Sequence, residues 1–329
     1  MPRSVRFNEI GGPEVLRIEE VATPEPKAGE VRIAVKALGL NRAESMYRSG
    51  AYVIEPVFPA QLGYEAAGLI EAIGADVAGV RVGDAVSVIP AFALTDYGLY
   101  GEEALAPARA VVKHPDNLDW VDAAATWMAF MTAWGALIDL AGLAAGDVVL
   151  IPAASSSVGL AAIQVALHVG ATPVALTRTS AKAAELKHLG AAHVIATAEQ
   201  DLVVEVMRLT DGRGARVVFD PVGGPTFGKL AKVTAVGGII VLYGVLSHDP
   251  VPLPIFEILG RHLTVRGYEL FEVTMDDAKL ERGKAFVLDG LASGAFRPKV
   301  ARTFPFDEIV EAYRYLESNA QVGKVVVTV

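Results

Sequence analysis

The chain has 329 residues, 52% of them hydrophobic and 20% charged, with a formal net charge of −9. This length favours two domains with sizeable cores, and an acidic balance without any block of like charges speaks against nucleic acid or an anionic membrane surface as partner. With no cysteine there is no disulfide framework, no thiolate nucleophile and no cysteine-ligated metal, which fits a cytoplasmic address.

The N-terminal residues Met1-Pro2-Arg3-Ser4-Val5-Arg6-Phe7 lack the apolar core of a signal peptide. Up to about residue 115 the chain carries short alternating runs: Val31-Arg32-Ile33-Ala34-Val35-Lys36, Ala67-Gly68-Leu69-Ile70-Glu71-Ala72-Ile73 and Asp84-Ala85-Val86-Ser87-Val88. Turn signals such as Gly11-Gly12-Pro13, Pro24-Glu25-Pro26 and Gly83-Asp84 punctuate them. Short strands joined by turns are predicted, forming a β-rich, partly barrel-like domain.

From about residue 120 the texture changes. Strands are predicted at 148–152, 173–177, 193–196, 216–220 and 238–243, with helices at 158–169, 180–189, 199–209 and 224–234 between them. This alternation implies a doubly wound parallel sheet of Rossmann type. Beyond about 265 come helices at 276–292 and 307–318, then a strand from Lys324 to Val329 that is expected to return to the first domain. The expected division is 1–120 with 266–329, and 121–265. The apolar stretch between Asp147 and Arg178 is broken into strand, helix and strand by Pro152, Ser155, Ser156, Ser157, Gln164 and Pro173, so no membrane span is predicted.

The strongest local signal is Val148-Val149-Leu150-Ile151-Pro152-Ala153-Ala154-Ser155-Ser156-Ser157-Val158-Gly159. A strand runs into a turn of small residues and then into a helix start, whose free amides and positive dipole end suit a pyrophosphate. Ala154 and Ser156 stand where the first two glycines of G-x-G-x-x-G would be, and Gly159 supplies the third. The hydroxyls of Ser155, Ser156 and Ser157 add donors beside the amides of the turn and of Val158. A serine-rich N-cap on an ordinary helix is the structural alternative.

About 20 residues further on, where an Asp or Glu would hold the ribose hydroxyls of NAD, the chain reads Arg178-Thr179-Ser180-Ala181-Lys182. No acid lies in that segment. Arg178, Ser180 and Lys182 offer two charges and a hydroxyl to a 2′-phosphate, which points to NADPH. Gly223, after the fourth strand, and Gly244, after the fifth, fall at strand carboxyl ends that face the ligand crevice, although turns use the same residues.

The six histidines, at 114, 168, 188, 193, 248 and 262, have none of the spacings of metal ligands. No metal site is expected.

Taken over its whole length, the chain resembles the medium-chain dehydrogenase/reductase superfamily, and within it the zinc-independent quinone oxidoreductases. The residues that carry the likeness are Gly39-Leu40-Asn41-Arg42-Ala43-Glu44, Arg48-Ser49-Gly50-Ala51-Tyr52, Gly63-Tyr64-Glu65-Ala66-Ala67-Gly68, Met131-Thr132-Ala133-Trp134, the 154–159 turn, Asp220-Pro221-Val222-Gly223-Gly224 and Gly323-Lys324-Val325-Val326. Asn41 and Tyr64 replace the cysteine and histidine of zinc-dependent members.

The resemblance implies a GroES-like first domain and a metal-free, NADPH-dependent reduction of a quinone or an α,β-unsaturated carbonyl compound. An enoyl-thioester reductase and a non-catalytic NADPH-binding protein are the alternatives. It also implies Asn41, Tyr52 and Thr132 near the chemistry and Lys324 among the cofactor contacts. For Asn41, capping the short helix that follows is an equal alternative; for Tyr52 the alternative is cleft-wall packing, and for Thr132 a helix-surface position. A homodimer is expected, joined through the segments 238–242, 253–256 and 263–265.

Overall fold

The protein, a computed structural model describing residues 1–329, forms two compact units. One comprises residues 1–128, 274–280 and 297–329; the other comprises 129–273 and 281–296. The long helix Asp277–Ala292 therefore divides, and most of it packs with the second unit. Gly283 lets it approach closely, since a Cβ there would lie 2.5 Å from the Met131 Cε. Phe296, just beyond the helix, stacks on Phe130 with ring centroids 4.9 Å apart.

In the first unit the strand Glu30–Leu40 is central. It pairs antiparallel with Ala66–Ile73, with Glu103–Pro107 and with the final strand Lys324–Thr328. Its alternation follows from the sequence: Val31, Ile33 and Val35 are buried while their neighbours are more open, the signature of a strand with one face on a core. The C-terminal strand returns to this sheet as expected.

In the second unit six parallel strands form one sheet: Val148–Ile151, Thr172–Thr177, His193–Ala196, Ala215–Asp220, Thr234–Leu242 and Thr264–Gly267. Numbered in that sequence, their spatial order is 3-2-1-4-5-6, the doubly wound arrangement whose crevice opens where the order reverses, outside the first and fourth strands. The five strands read from the sequence are all present. The sheet also has a sixth strand, preceded by the helix Ile255–Arg261, which the sequence pattern does not mark. With the sixth strand in place, 238–242 is interior and Thr264–Gly267 is the sheet edge.

The helical run Trp120–Leu140 has the length and apolarity to cross a membrane, but 78% of its most apolar window is buried within the protein. Trp127, Phe130, Met131 and Ala133 are core residues. The run ends in a π-helical turn at Gly135–Leu140.

Candidate functional site

In the nucleotide-binding unit the helix Ser157–His168 begins as predicted, with Ser156 as N-cap. The Ser156 hydroxyl accepts the Gly159 N–H at 3.0 Å. The first backbone bond of the helix runs from the Leu160 N–H to the Ser156 carbonyl, 2.9 Å. The amides of Ser157 and Val158 therefore precede the helical ladder, as an anion site requires. Gly159 has no room for a side chain, since a Cβ would sit 2.7 Å from both Cα and O of Ala154. This contact brings the helix against the strand–turn segment.

Around the turn gather groups that sequence spacing could not connect. The Lys182 ammonium donates to the Ser155 Oγ at 3.3 Å, which ties the Arg178–Lys182 segment to the serine turn. Burial, with help from the charge of Arg178 and against that of Glu185, lowers the Lys182 pKa. At the end of the fourth strand Asp220 is fully buried, and its Oδ1 accepts the Val222 N–H at 2.8 Å. Burial pushes this carboxyl up, while the amides of Val222 and Gly223 pull it down. Gly223 has φ 64° and ψ −136°, a conformation open essentially to glycine alone. Tyr243, next to Gly244, stacks on Phe219 at 3.8 Å, and burial, then the charge of Asp220, drives its phenol well above the ordinary range. Thr132 lies on the helix Trp127–Trp134 and is 7% exposed.

One acid was missed. Glu199, on the loop after the third strand, accepts the Ser180 N–H with its Oε1 at 3.0 Å. The position after the second strand, empty of carboxylates in the local sequence, holds one supplied from the neighbouring strand.

In the first unit, registers decide what meets. Val325 faces Leu40, so one residue further Lys324 faces Asn41; on the other side Ala66 faces Leu38, which brings Glu65 beside Gly39. A side chain at Gly39 would strike the Lys324 Cε at 2.9 Å and the Glu65 Cδ at 3.1 Å. Glycine there makes the space for an ion pair. The Lys324 Nζ donates to the Glu65 Oε2 and to the Asn41 Oδ1, both at 2.6 Å, with Lys324 1% and Glu65 0% exposed.

Asn41 is also the N-cap of the helix Arg42–Arg48, in a capping box with Glu44. Its backbone N–H donates to the Glu44 Oε2 at 2.8 Å, and its side-chain amide donates to the Gly39 carbonyl at 3.0 Å. Glu44 is wholly buried and accepts the hydroxyls of Tyr100 and of Tyr313, the latter at 3.0 Å. Burial raises the Glu44 pKa; the Tyr100 bond and the amides of Tyr64 and Asn41 oppose the rise. Asn41 and Lys324, read as belonging to different parts of the chemistry, thus share one buried network. Tyr52 is half-buried in the irregular segment after that helix.

Comparison with known proteins agrees with this architecture. A family model described as alcohol dehydrogenase GroES-like domain matches residues 27–116, and one described as zinc-binding dehydrogenase matches 157–279. The 2-haloacrylate reductase of a Burkholderia species is 31% identical over 97% of each chain. The chain belongs to the medium-chain dehydrogenase/reductase superfamily, in its quinone oxidoreductase-like family. Among other members, the quinone oxidoreductase of Lama guanicoe is 31% identical over 98% of this chain and 96% of its own. The crystal structure of Escherichia coli quinone oxidoreductase complexed with NADPH superposes with a TM-score of 0.90 at 27% identity, covering 99% of this chain and all of the other. In this member of the family the zinc-dependent dehydrogenases' cysteine ligands have no counterpart, because the chain contains no cysteine.

Proposed function

We propose that the chain is an NADPH-dependent, metal-free oxidoreductase that reduces a quinone or the activated double bond of an α,β-unsaturated carbonyl compound. The observation that carries the cofactor is the donor set of the nucleotide unit. First-turn amides and three serine hydroxyls suit a pyrophosphate, and Arg178, Ser180 and Lys182, the last reaching across to Ser155, extend the set toward a 2′-phosphate. The acceptor class is supported by the names of the relatives: a 2-haloacrylate, like a quinone or an enone, presents a conjugated carbon–carbon double bond.

When bound, NADPH supplies the hydride. The chain's own residues orient and protonate. Gly223 and Gly244 leave space at the strand ends, and Thr132 serves the carboxamide side. Tyr52 is the phenol offered to the acceptor's oxygen. Asn41 has its carbonyl taken by Lys324, and its amide donates to the Gly39 carbonyl at 3.0 Å and to the Glu44 and Glu65 carboxylates at 3.4 Å, so it orients a substrate carbonyl by giving up one of the two longer contacts.

The test is loss of NADPH absorbance with a panel of quinones, enones and enoyl thioesters, before and after exhaustive chelation. Turnover of a quinone or enone that chelation leaves unchanged is expected. Tight NADPH binding with no acceptor reduced would favour a non-catalytic binder; turnover of thioesters alone would favour the enoyl-thioester alternative; activity lost to chelation and restored by zinc would overturn the metal-free reading. The cysteine-free composition supports a cytoplasmic address, which cell fractionation checks.

A homodimer is part of the proposal. The strand Thr264–Gly267 ends the sheet with an unpaired edge. On the helix that precedes this strand Phe256 is 88% and Leu259 67% exposed, and Val236, which lines one pocket with Phe256, is 68% exposed, an apolar surface of the kind subunits cover. Sedimentation at micromolar concentration should give twice the chain mass. A monomer there would remove the dimer from the proposal.

A further inference from the structure

Glu199 stands where a cofactor-reading acid would stand, although it belongs to a different strand. Its loop is laced to the end of the second strand of the nucleotide sheet: the Thr197 N–H donates to the Thr177 carbonyl at 2.8 Å and the Ala198 N–H to the Arg178 carbonyl at 3.0 Å. The Gln200 side chain closes the loop from behind, accepting the Ala196 N–H at 2.9 Å. From this fixed base the Glu199 Oε1 takes the Ser180 N–H at 3.0 Å. Ser180 lies two residues from Arg178 and two from Lys182.

We propose that Glu199 is a specificity-determining residue, whose carboxylate opposes the 2′-phosphate of NADPH at Ser180 and holds down the chain's preference for NADPH over NADH. The proposal rests on the assignment of Arg178, Ser180 and Lys182 to that phosphate. A phosphate monoester carries roughly −1.5 to −2 charge at neutral pH, and it competes with Glu199 for the same amide. Either the carboxylate swings out and gives up a charge-assisted hydrogen bond, or it stays and repels. NADH presents only hydroxyls at that ribose. These donate to a carboxylate, the arrangement that dinucleotide folds use to read NAD. Glu199 therefore taxes one cofactor and spares the other. Its side chain is exposed, so rotation into solvent is open and the tax is a moderate factor, not an exclusion.

The experiment measures dissociation constants of NADPH and NADH by fluorescence titration for wild type and Glu199→Gln, which keeps the size and an acceptor oxygen. NADPH should bind about three- to fivefold more tightly to the variant, the scale of an exposed charge pair, with NADH unchanged or weaker. Raising the salt should shrink the gain. NADPH affinity that is unchanged or weaker, or NADH tightening in step with NADPH, overturns the proposal. Adenosine 2′-monophosphate and adenosine serve as separate probes of the phosphate assignment. If wild type does not prefer the phosphorylated probe, that assignment falls and the proposal with it; if it does, and Glu199→Gln leaves the preference unmoved, only the role of Glu199 is lost.

Discussion

Lys324→Met is expected to lower the melting temperature of the unit that contains it by about 10 °C. The side chain is 1% exposed and bonds Glu65 and Asn41 at 2.6 Å each. Methionine fills similar space but leaves the Glu65 carboxylate buried without its cation, with a 3.3 Å approach from the Met128 N–H and a 3.4 Å one from the Asn41 amide. Breaking a buried pair by removing one partner costs on the order of 3–5 kcal/mol, and each kcal/mol moves the midpoint of a domain this size by about 2–4 °C. Glu65→Gln/Lys324→Met, which removes both charges, should recover much of the loss, because the cost lies in the orphaned charge and not in the absent attraction. Calorimetry on the single and double variants decides it. A single variant that melts with wild type would mean the pair carries no net stability, and a double variant worse than the single would mean packing, not charge, sets the cost.

The registers that create this pair explain what the sequence could and could not convey. Strand and helix positions in the nucleotide unit were legible because apolar runs, serines and glycines mark them locally: the strand predicted at 148–152 is Val148–Ile151 and the helix predicted at 158–169 is Ser157–His168. Thr264–Gly267 was not legible. Four residues at a sheet edge, mostly exposed, show neither alternation nor an apolar run. The helix predicted at 180–189 begins instead as a 3-10 turn over Ser180–Lys182, a distinction propensity does not carry.

Within the candidate site, the box joining Asn41 to Glu44 had a readable signal, a polar residue followed three positions later by glutamate. Glu65 with Lys324 did not. Their encounter depends on two strands pairing with opposite edges of Glu30–Leu40 in particular registers, and a slip of one residue would turn either side chain to the other face. Glu199 escaped for the same reason, since its place at Ser180 follows from how the third strand lies against the second.

Arg178→Ala should raise the NADPH dissociation constant roughly ten- to over a hundredfold, the equivalent of one charge-assisted contact worth about 1.5–3 kcal/mol. Arg178 is exposed at the end of the second strand, where its planar fork can take two phosphate oxygens. NADH, lacking the phosphate, should bind almost as before. The neighbourhood makes the loss larger than for an isolated contact. With the arginine gone, a 2′-phosphate meets the Glu199 carboxylate with only Lys182 to offset it, and part of the Lys182 ammonium's hydrogen-bonding is already directed to Ser155. Arg178→Ala/Glu199→Gln should therefore recover part of the lost NADPH affinity, whereas the same pair of changes should do nothing for NADH. Titration of both cofactors against wild type, the single variant and the double variant measures this directly. If Arg178→Ala weakens NADPH and NADH alike, the arginine supports the fold of the turn and does not read the phosphate; if wild type prefers NADH, the assignment of Arg178, Ser180 and Lys182 to a 2′-phosphate is wrong.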